Sequence, residues 1–185
     1  MSNKSEVRVI KFNEFVKPNV QVSGSKDWVL NGPNNSFYND IISAYNNSVT
    51  NQTIISSYAN LIFGRGLAAD SSVTDMTQWV EFRQTLSKND LRNIILDLVL
   101  FGSAAMQIVK KKNKSVHSVK HIGINKLAPQ KANDDNEIEG YYYCPDWRKA
   151  NQIKPEFIPM FNTGNGTETE VYVIKPYGPD SEYFS

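Results

Sequence analysis

The sequence contains a single cysteine, Cys144, only two histidines, and almost no net charge, with 20 Lys and Arg against 19 Asp and Glu. One thiol excludes an internal disulfide and any cysteine-rich zinc site, and it fits a reducing compartment. No apolar run approaches the roughly eighteen residues that a membrane span requires. The most apolar stretch, Ile94 to Phe101, is short and contains Asp97. Lys4, Glu6, Arg8 and Lys11 occupy the amino terminus where a secretory signal needs an uninterrupted apolar segment, so a cytoplasmic start is expected. Without export, Asn46-Asn47-Ser48 and Asn51-Gln52-Thr53 carry no meaning as glycosylation sites. A disordered tail is also excluded: 40% of the 185 residues are hydrophobic, and nine Tyr, nine Phe and three Trp supply surface for a core. Each Å² of apolar surface buried stabilises by roughly 25 cal/mol.

Punctuation and periodicity divide the chain. Residues 1–35 read as an extended lead-in, interrupted by Pro18, Gly24, Gly32 and Pro33 and pinned by Trp28. Helical spacing begins at Ser36, a plausible N-cap, with Ile41, Ile42 and Tyr45. A second helix is expected from Thr50 as cap, with Ile54, Ile55, Tyr58, Leu61 and Ile62 on one apolar face, ending at Gly64-Arg65-Gly66. After a polar connector over 67–75, Trp79, Val80, Phe82, Arg83 and Leu86 suggest a third helix. Ser87 and Asp90 resemble a capping box for a fourth, through Leu91, Ile94, Ile95, Leu98 and Val99. That helix is apolar around most of its circumference, so burial between other elements is expected, with Gly102 as its terminator.

Past Gly102 the period falls to two. Ala105–Lys110 and Val116–Ile122 read as a hairpin, with further strands at Ile138–Tyr143 and Val171–Ile174. Pro145, Pro155, Pro159 and the Asn162-to-Gly166 cluster mark loops. Helices over about 36–101 followed by strands over about 104–176 imply an α+β class with an antiparallel sheet, since a doubly wound sheet would alternate them.

Catalytic signatures are missing. Gly64-Arg65-Gly66 follows a helix instead of a strand and reads as a helix terminator, not as a phosphate loop. There is no Gly-x-Ser-x-Gly elbow, and Cys144, between Tyr143 and Pro145, reads as a small core filler. His117 and His121 share a face on either a strand or a helix but lack a third ligand nearby, which favours polar surface histidines over a metal site. Asp134, Asp135, Glu137 and Glu139 lack calcium-loop spacing and read as a solvated acidic loop. The chain is therefore expected not to be an enzyme and to need no cofactor; an enzyme with dispersed groups would require a deep pocket of convergent acids, bases or nucleophiles.

Charge is unevenly spread. Seven lysines lie between Leu98 and Asn133 (Lys110, Lys111, Lys112, Lys114, Lys120, Lys126 and Lys131) without one acid among them, and four acids follow by Glu139. One reading is a solvated hairpin tip that discourages edge pairing. The other is electrostatic contact, through Lys110, Lys111, Lys112, Lys114 and Lys120, with nucleic acid or a neighbouring subunit. Tyr141-Tyr142-Tyr143 fits a half-buried strand better than a base-stacking platform, because alternation puts Tyr142 opposite the other two.

The segments Tyr38 to Tyr45 and Ile54 to Leu67, the latter closing in Phe63-Gly64-Arg65-Gly66-Leu67, resemble the amino-terminal part of tailed-phage portal (head–tail connector) proteins. Three later segments are similar in the same order: Asp97 to Ala105; Tyr141-Tyr142-Tyr143 leading to Asp146-Trp147; and Ile158-Pro159 with Tyr172 to Tyr177 and Pro179 to Tyr183. The resemblance runs from about residue 37 to 183 and points first to Bacteroidetes-type phages. It implies a wing-like α+β region over 36–185. Family members are longer, with a stem helix, a clip and a second wing segment, so a fragment of a portal chain is expected. It further implies a structural virion protein at the capsid vertex, made in the host cytoplasm. There, copies form a ring, typically of twelve, that takes part in head assembly and contacts capsid, terminase and tail or adaptor proteins. Double-stranded DNA passes through during packaging and ejection without tight binding, and no membrane is involved. The competing expectation is a standalone α+β module that binds nucleic acid or protein through the lysine-rich 110–131 segment.

Overall fold

Helices start where a short polar side chain accepts the first unpaired backbone N–H groups. The computed structural model describes residues 19–22, 24–70, 75–135, 137–161 and 168–174. Its first helix, α1 (Ser36–Asn47), has no such cap: Asn35 precedes it in a left-handed conformation with its side chain bonded elsewhere, and Ser36 is the first helical residue instead of the expected cap. α2 (Val49–Phe63) is capped by Ser48, whose hydroxyl accepts from Asn51 N–H. The cap expected at Thr50 thus lies two residues earlier, because Ser48 is the last residue with extended backbone. Asp75 caps α3 (Met76–Thr85), accepting from the N–H groups of Thr77 and Gln78. Ser87 caps α4 (Lys88–Phe101), accepting from Asp90 N–H, and Gly102 closes it at φ 72°.

Eight strands complete the described residues. β1 (Val20–Val22) and β2 (Val29–Asn31) form an antiparallel hairpin within the stretch expected to be a plain lead-in. Trp28, at its second strand, packs on Tyr142 and Trp147 with ring centroids 5.2 and 5.9 Å away, so it does anchor this segment. β3 (Ala104–Lys110) and β4 (Val116–Ile122) form the expected hairpin, and β8 (Thr169–Ile174) pairs with the other edge of β3 to give the antiparallel order β4-β3-β8. The second sheet, β5 (Leu127–Pro129), β6 (Gly140–Tyr143) and β7 (Glu156–Pro159), is also antiparallel, in the order β5-β6-β7.

β5 and β7 are absent from the sequence reading, and Pro159, expected in a loop, ends β7. Both strands lie at the edges of their sheet, where proline's missing N–H costs no ladder bond. The strand expected from Ile138 starts at Gly140. A Cβ there would come within 2.6 Å of the Ile158 carbonyl oxygen and the Phe157 ring, so the close approach of β7 requires glycine.

The architecture is α+β, with α1–α4 preceding the two main sheets. One core joins the sheets: Ala105, Ile122 and Val171 from the first meet Leu127, Tyr141 and Ile158 from the second. Alternation along β6 sends Tyr141 and Tyr143 toward this cluster and Tyr142 toward Trp28, as the triplet predicts. Cys144 is fully buried beside Ala128 and Trp147, with its thiol directed at the Asp146 carbonyl oxygen at 3.3 Å. α4 contacts α1, α2, β3 and β4, and its Ile94 and Ile95 are buried.

α2 departs from expectation. Of the apolar face expected, only Ile55 is half-buried, whereas Ile54, Tyr58, Leu61 and Ile62 are exposed; Ala59, outside that face, is the buried residue of the helix.

Candidate functional site

The β3–β4 hairpin ends in a turn that its own polar groups hydrogen-bond. Lys111 N–H donates to the Ser115 carbonyl and Lys114 N–H to the Lys111 carbonyl, both at 2.8 Å, and Lys114 adopts φ 66°. Asn113 Oδ1 accepts from both the backbone N–H and the hydroxyl of Ser115. Lys111, Lys112 and Lys114 are exposed on this turn, and Lys120 is exposed farther along β4.

Lys110 is placed otherwise. Its ammonium lies 2.6 Å from Glu170 Oε1, on a carboxylate side chain only 1% exposed, and 5.2 Å from the centre of the Phe161 ring. This lysine belongs to the packing between β3 and β8 and is separate from the exposed basic group. Spacing along the chain does not reveal this pairing, because Glu170 is sixty positions away.

The acidic segment is also a built turn. Asn133 Oδ1 accepts from the N–H groups of Asp135 and Glu137, at 3.1 and 2.8 Å. Asp134, Asp135, Glu137 and Glu139 are exposed around it. The basic turn therefore belongs to one sheet and the acidic turn to the connection between β5 and β6 of the other.

The histidines separate by environment. His121 Nε2 lies 2.7 Å from Asp97 Oδ2, tying β4 to α4, while His117 is exposed toward the hairpin tip. Among the described residues, no group of three His, Cys, Asp or Glu side chains is arranged to hold a metal. The His121–Asp97 pair lines a broad cleft of about 900 Å³ between the helices and the sheets, together with Tyr45, Phe101, Tyr143 and Phe157. Sequence reasoning missed this cleft, whose walls come from α1, α4 and both sheets. Lys126 and Glu156 also lie on it.

Buried tyrosines are held neutral. Desolvation pushes Tyr141 up to about 12, with a smaller contribution from Tyr38. Burial raises Tyr38 as well, partly offset by the hydrogen bond that Asn31 Nδ2 donates to its hydroxyl at 3.0 Å. Both are packing groups at ordinary pH.

The fold and its surfaces define an α+β protein with two exposed charged turns of opposite sign and an open cleft. No helix among the described residues is long and apolar enough to cross a membrane. Compared with protein-family models and with curated proteins, the chain matches none.

Proposed function

We propose that the chain is a structural subunit of a tailed-phage portal, corresponding to part of its wing, and that it contributes to the ring at the capsid vertex through which double-stranded DNA is packaged and ejected. The observation that carries this reading is the pairing of an exposed lysine turn on one sheet with an exposed acidic turn on the other. A ring closes through head-to-tail contacts, in which one surface of a subunit meets a different surface of the next, and opposite charges suit such a contact. The succession of similar sequence segments between residues 37 and 183 supports the same reading. In it, capsid, terminase and tail or adaptor proteins are the outer partners, and the protein acts in the virion without catalysis. Native mass spectrometry with negative-stain imaging of the chain tests the proposal. Closed rings of a dozen or so copies are expected, and a chain that stays monomeric at every concentration and low salt overturns it.

The exposure of Lys111, Lys112 and Lys114 also favours a second reading, a module that holds nucleic acid through these lysines. It requires duplex binding that weakens steeply with added salt. Absence of binding at low salt ends it.

A further inference from the structure

The face of the second sheet turned away from the core carries a row of aromatic rings. Register pairs Tyr142 on β6 with Phe157 on β7, and the bridge between Trp28 and Gln130 brings the end of β2 alongside this sheet. The ring centroids of Trp28 and Phe157 lie 5.2 and 5.3 Å from that of Tyr142. The rings are tilted by 55° and 59°, so none is covered face to face by its neighbour. Trp147, itself buried, supports Trp28, and the Phe157 ring lies over Gly140, where there is no side chain to displace it. Phe157 is 39% exposed, and Trp28 and Tyr142 are half-buried. The tyrosine triplet by itself offers one ring on this face; pairing of distant strands assembles three.

Charge selects the occupant. Lys26 Nζ lies 5.4 Å from the centre of the Trp28 ring and donates to a neutral group, Asn151 Oδ1, at 2.9 Å. Lys149 follows Trp147 by two residues, Lys154 precedes Phe157 by three, and both are exposed. Among the described residues, none of these three lysines has a carboxylate partner. Asp146 is neutralised by Arg148, whose Nε and Nη2 donate to its two oxygens at 3.0 and 3.2 Å. That leaves Asp27, whose charge adds to desolvation in raising the Tyr142 pKa, against three cations. An apolar protein partner gains nothing from unpaired lysines beside the rings, and neither does an uncharged sugar. Single-stranded nucleic acid offers both complements, flat bases for the rings and phosphates for the ammonium groups.

We propose that the Trp28–Tyr142–Phe157 row is a stacking platform for single-stranded nucleic acid, with bases laid on the outward rings and backbone phosphates drawn by Lys26, Lys149 and Lys154. The platform belongs to a different sheet from the lysine turn of β3 and β4, and it requires neither that turn nor a ring of subunits.

Fluorescence anisotropy of a labelled oligothymidylate, titrated with the chain at low salt, tests the proposal. Binding that weakens with added salt is expected. Tyr142→Leu and Phe157→Leu keep apolar bulk without a flat ring, and each should weaken binding about tenfold with circular dichroism and urea midpoints confirming the fold. Lys26→Gln should reduce the slope of log affinity against log salt by about 0.7, and Lys111→Met should leave affinity unchanged. Absence of binding, equal affinity for the duplex of the same sequence, or parental affinity in both leucine variants overturns the platform. Loss in Lys111→Met alone assigns binding to the hairpin turn and overturns it too, as does a tryptophan emission change with maltoheptaose but not with oligothymidylate. Rings of subunits without oligothymidylate binding leave the portal reading standing and remove this inference; binding without rings does the reverse.

Discussion

Asn35 joins three segments through one amide. Its side chain is 1% exposed, with Oδ1 accepting from Asn31 N–H at 3.0 Å and Nδ2 donating to the carbonyls of Asn125 and Leu127 at 3.2 and 3.1 Å. The residue also holds φ 59°, a conformation that asparagine tolerates better than most residues. Removing the amide strands two buried backbone groups and a third that is part-buried, so Asn35→Ala should lower unfolding stability by about 2–4 kcal/mol in urea titrations. Asn35→Asp should cost at least as much, because a carboxylate would face two carbonyl oxygens. The lysines give the contrasting case. Lys110→Met removes a cation 2.6 Å from the nearly buried Glu170 carboxylate and should cost about 1–3 kcal/mol. Lys111→Met, on the exposed turn, should change stability by less than about 0.5 kcal/mol. Equal effects in the two variants would show that the ion pair does not form. Composition and order assign both lysines to one basic run; only the register of β8 against β3 separates them.

At the scale of elements, the start of α4 is tied to β4 through a single carboxylate. Asp90 accepts from the Ser87 hydroxyl, and its Oδ1 accepts from His121 N–H at 2.9 Å. The Ser87 bond holds the Asp90 carboxyl below the ordinary value of 3.8, more than offsetting its partial burial, and the His121 N–H with the charges of His121 and Lys120 lowers it further. Because the folded state favours the ionised form, this contribution is full above pH 3.8 and fades as pH falls through the lowered folded value. Stability should therefore drop on acidification below about pH 4, and Asp90→Asn should flatten that slope when melting is followed by circular dichroism across the range. A slope identical in both proteins would assign the acid sensitivity elsewhere. The Ser87–Asp90 signal was legible in sequence because a cap acts within one turn, and the β3–β4 hairpin because seven-residue strands show the period of two. β1, β2 and β5, at three residues each, are too short to show a period, and β7 ends in Pro159, which reads as a loop marker. In α2 the periodicity located the helix but not its covered side: spacing reports that apolar residues recur, whereas coverage depends on which elements pack there, here α1 and α4.

For the whole molecule, the near-zero net charge hides two opposed surfaces, and an assembly driven by them follows different rules from one driven by nucleic acid. At physiological ionic strength the screening length is about 8 Å, so only turns brought into direct contact retain much attraction. Replacing Lys111, Lys112 and Lys114 together by Glu should dissolve head-to-tail assembly, as should replacing Asp134, Asp135 and Glu137 together by Lys. Neither set disturbs the turns, since Asn113 and Asn133 hold them through backbone N–H groups and the Ser115 hydroxyl. With all six reversed, every contact again joins opposite signs, and assembly should return to the level of the parent chain in light scattering. A lysine turn that grips DNA predicts otherwise: the six-fold variant would still carry Glu at the tip, and DNA binding would stay lost. Restored assembly in that variant supports a subunit whose charged turns meet copies of themselves, and assembly that fails to return removes the electrostatic contact from the portal reading.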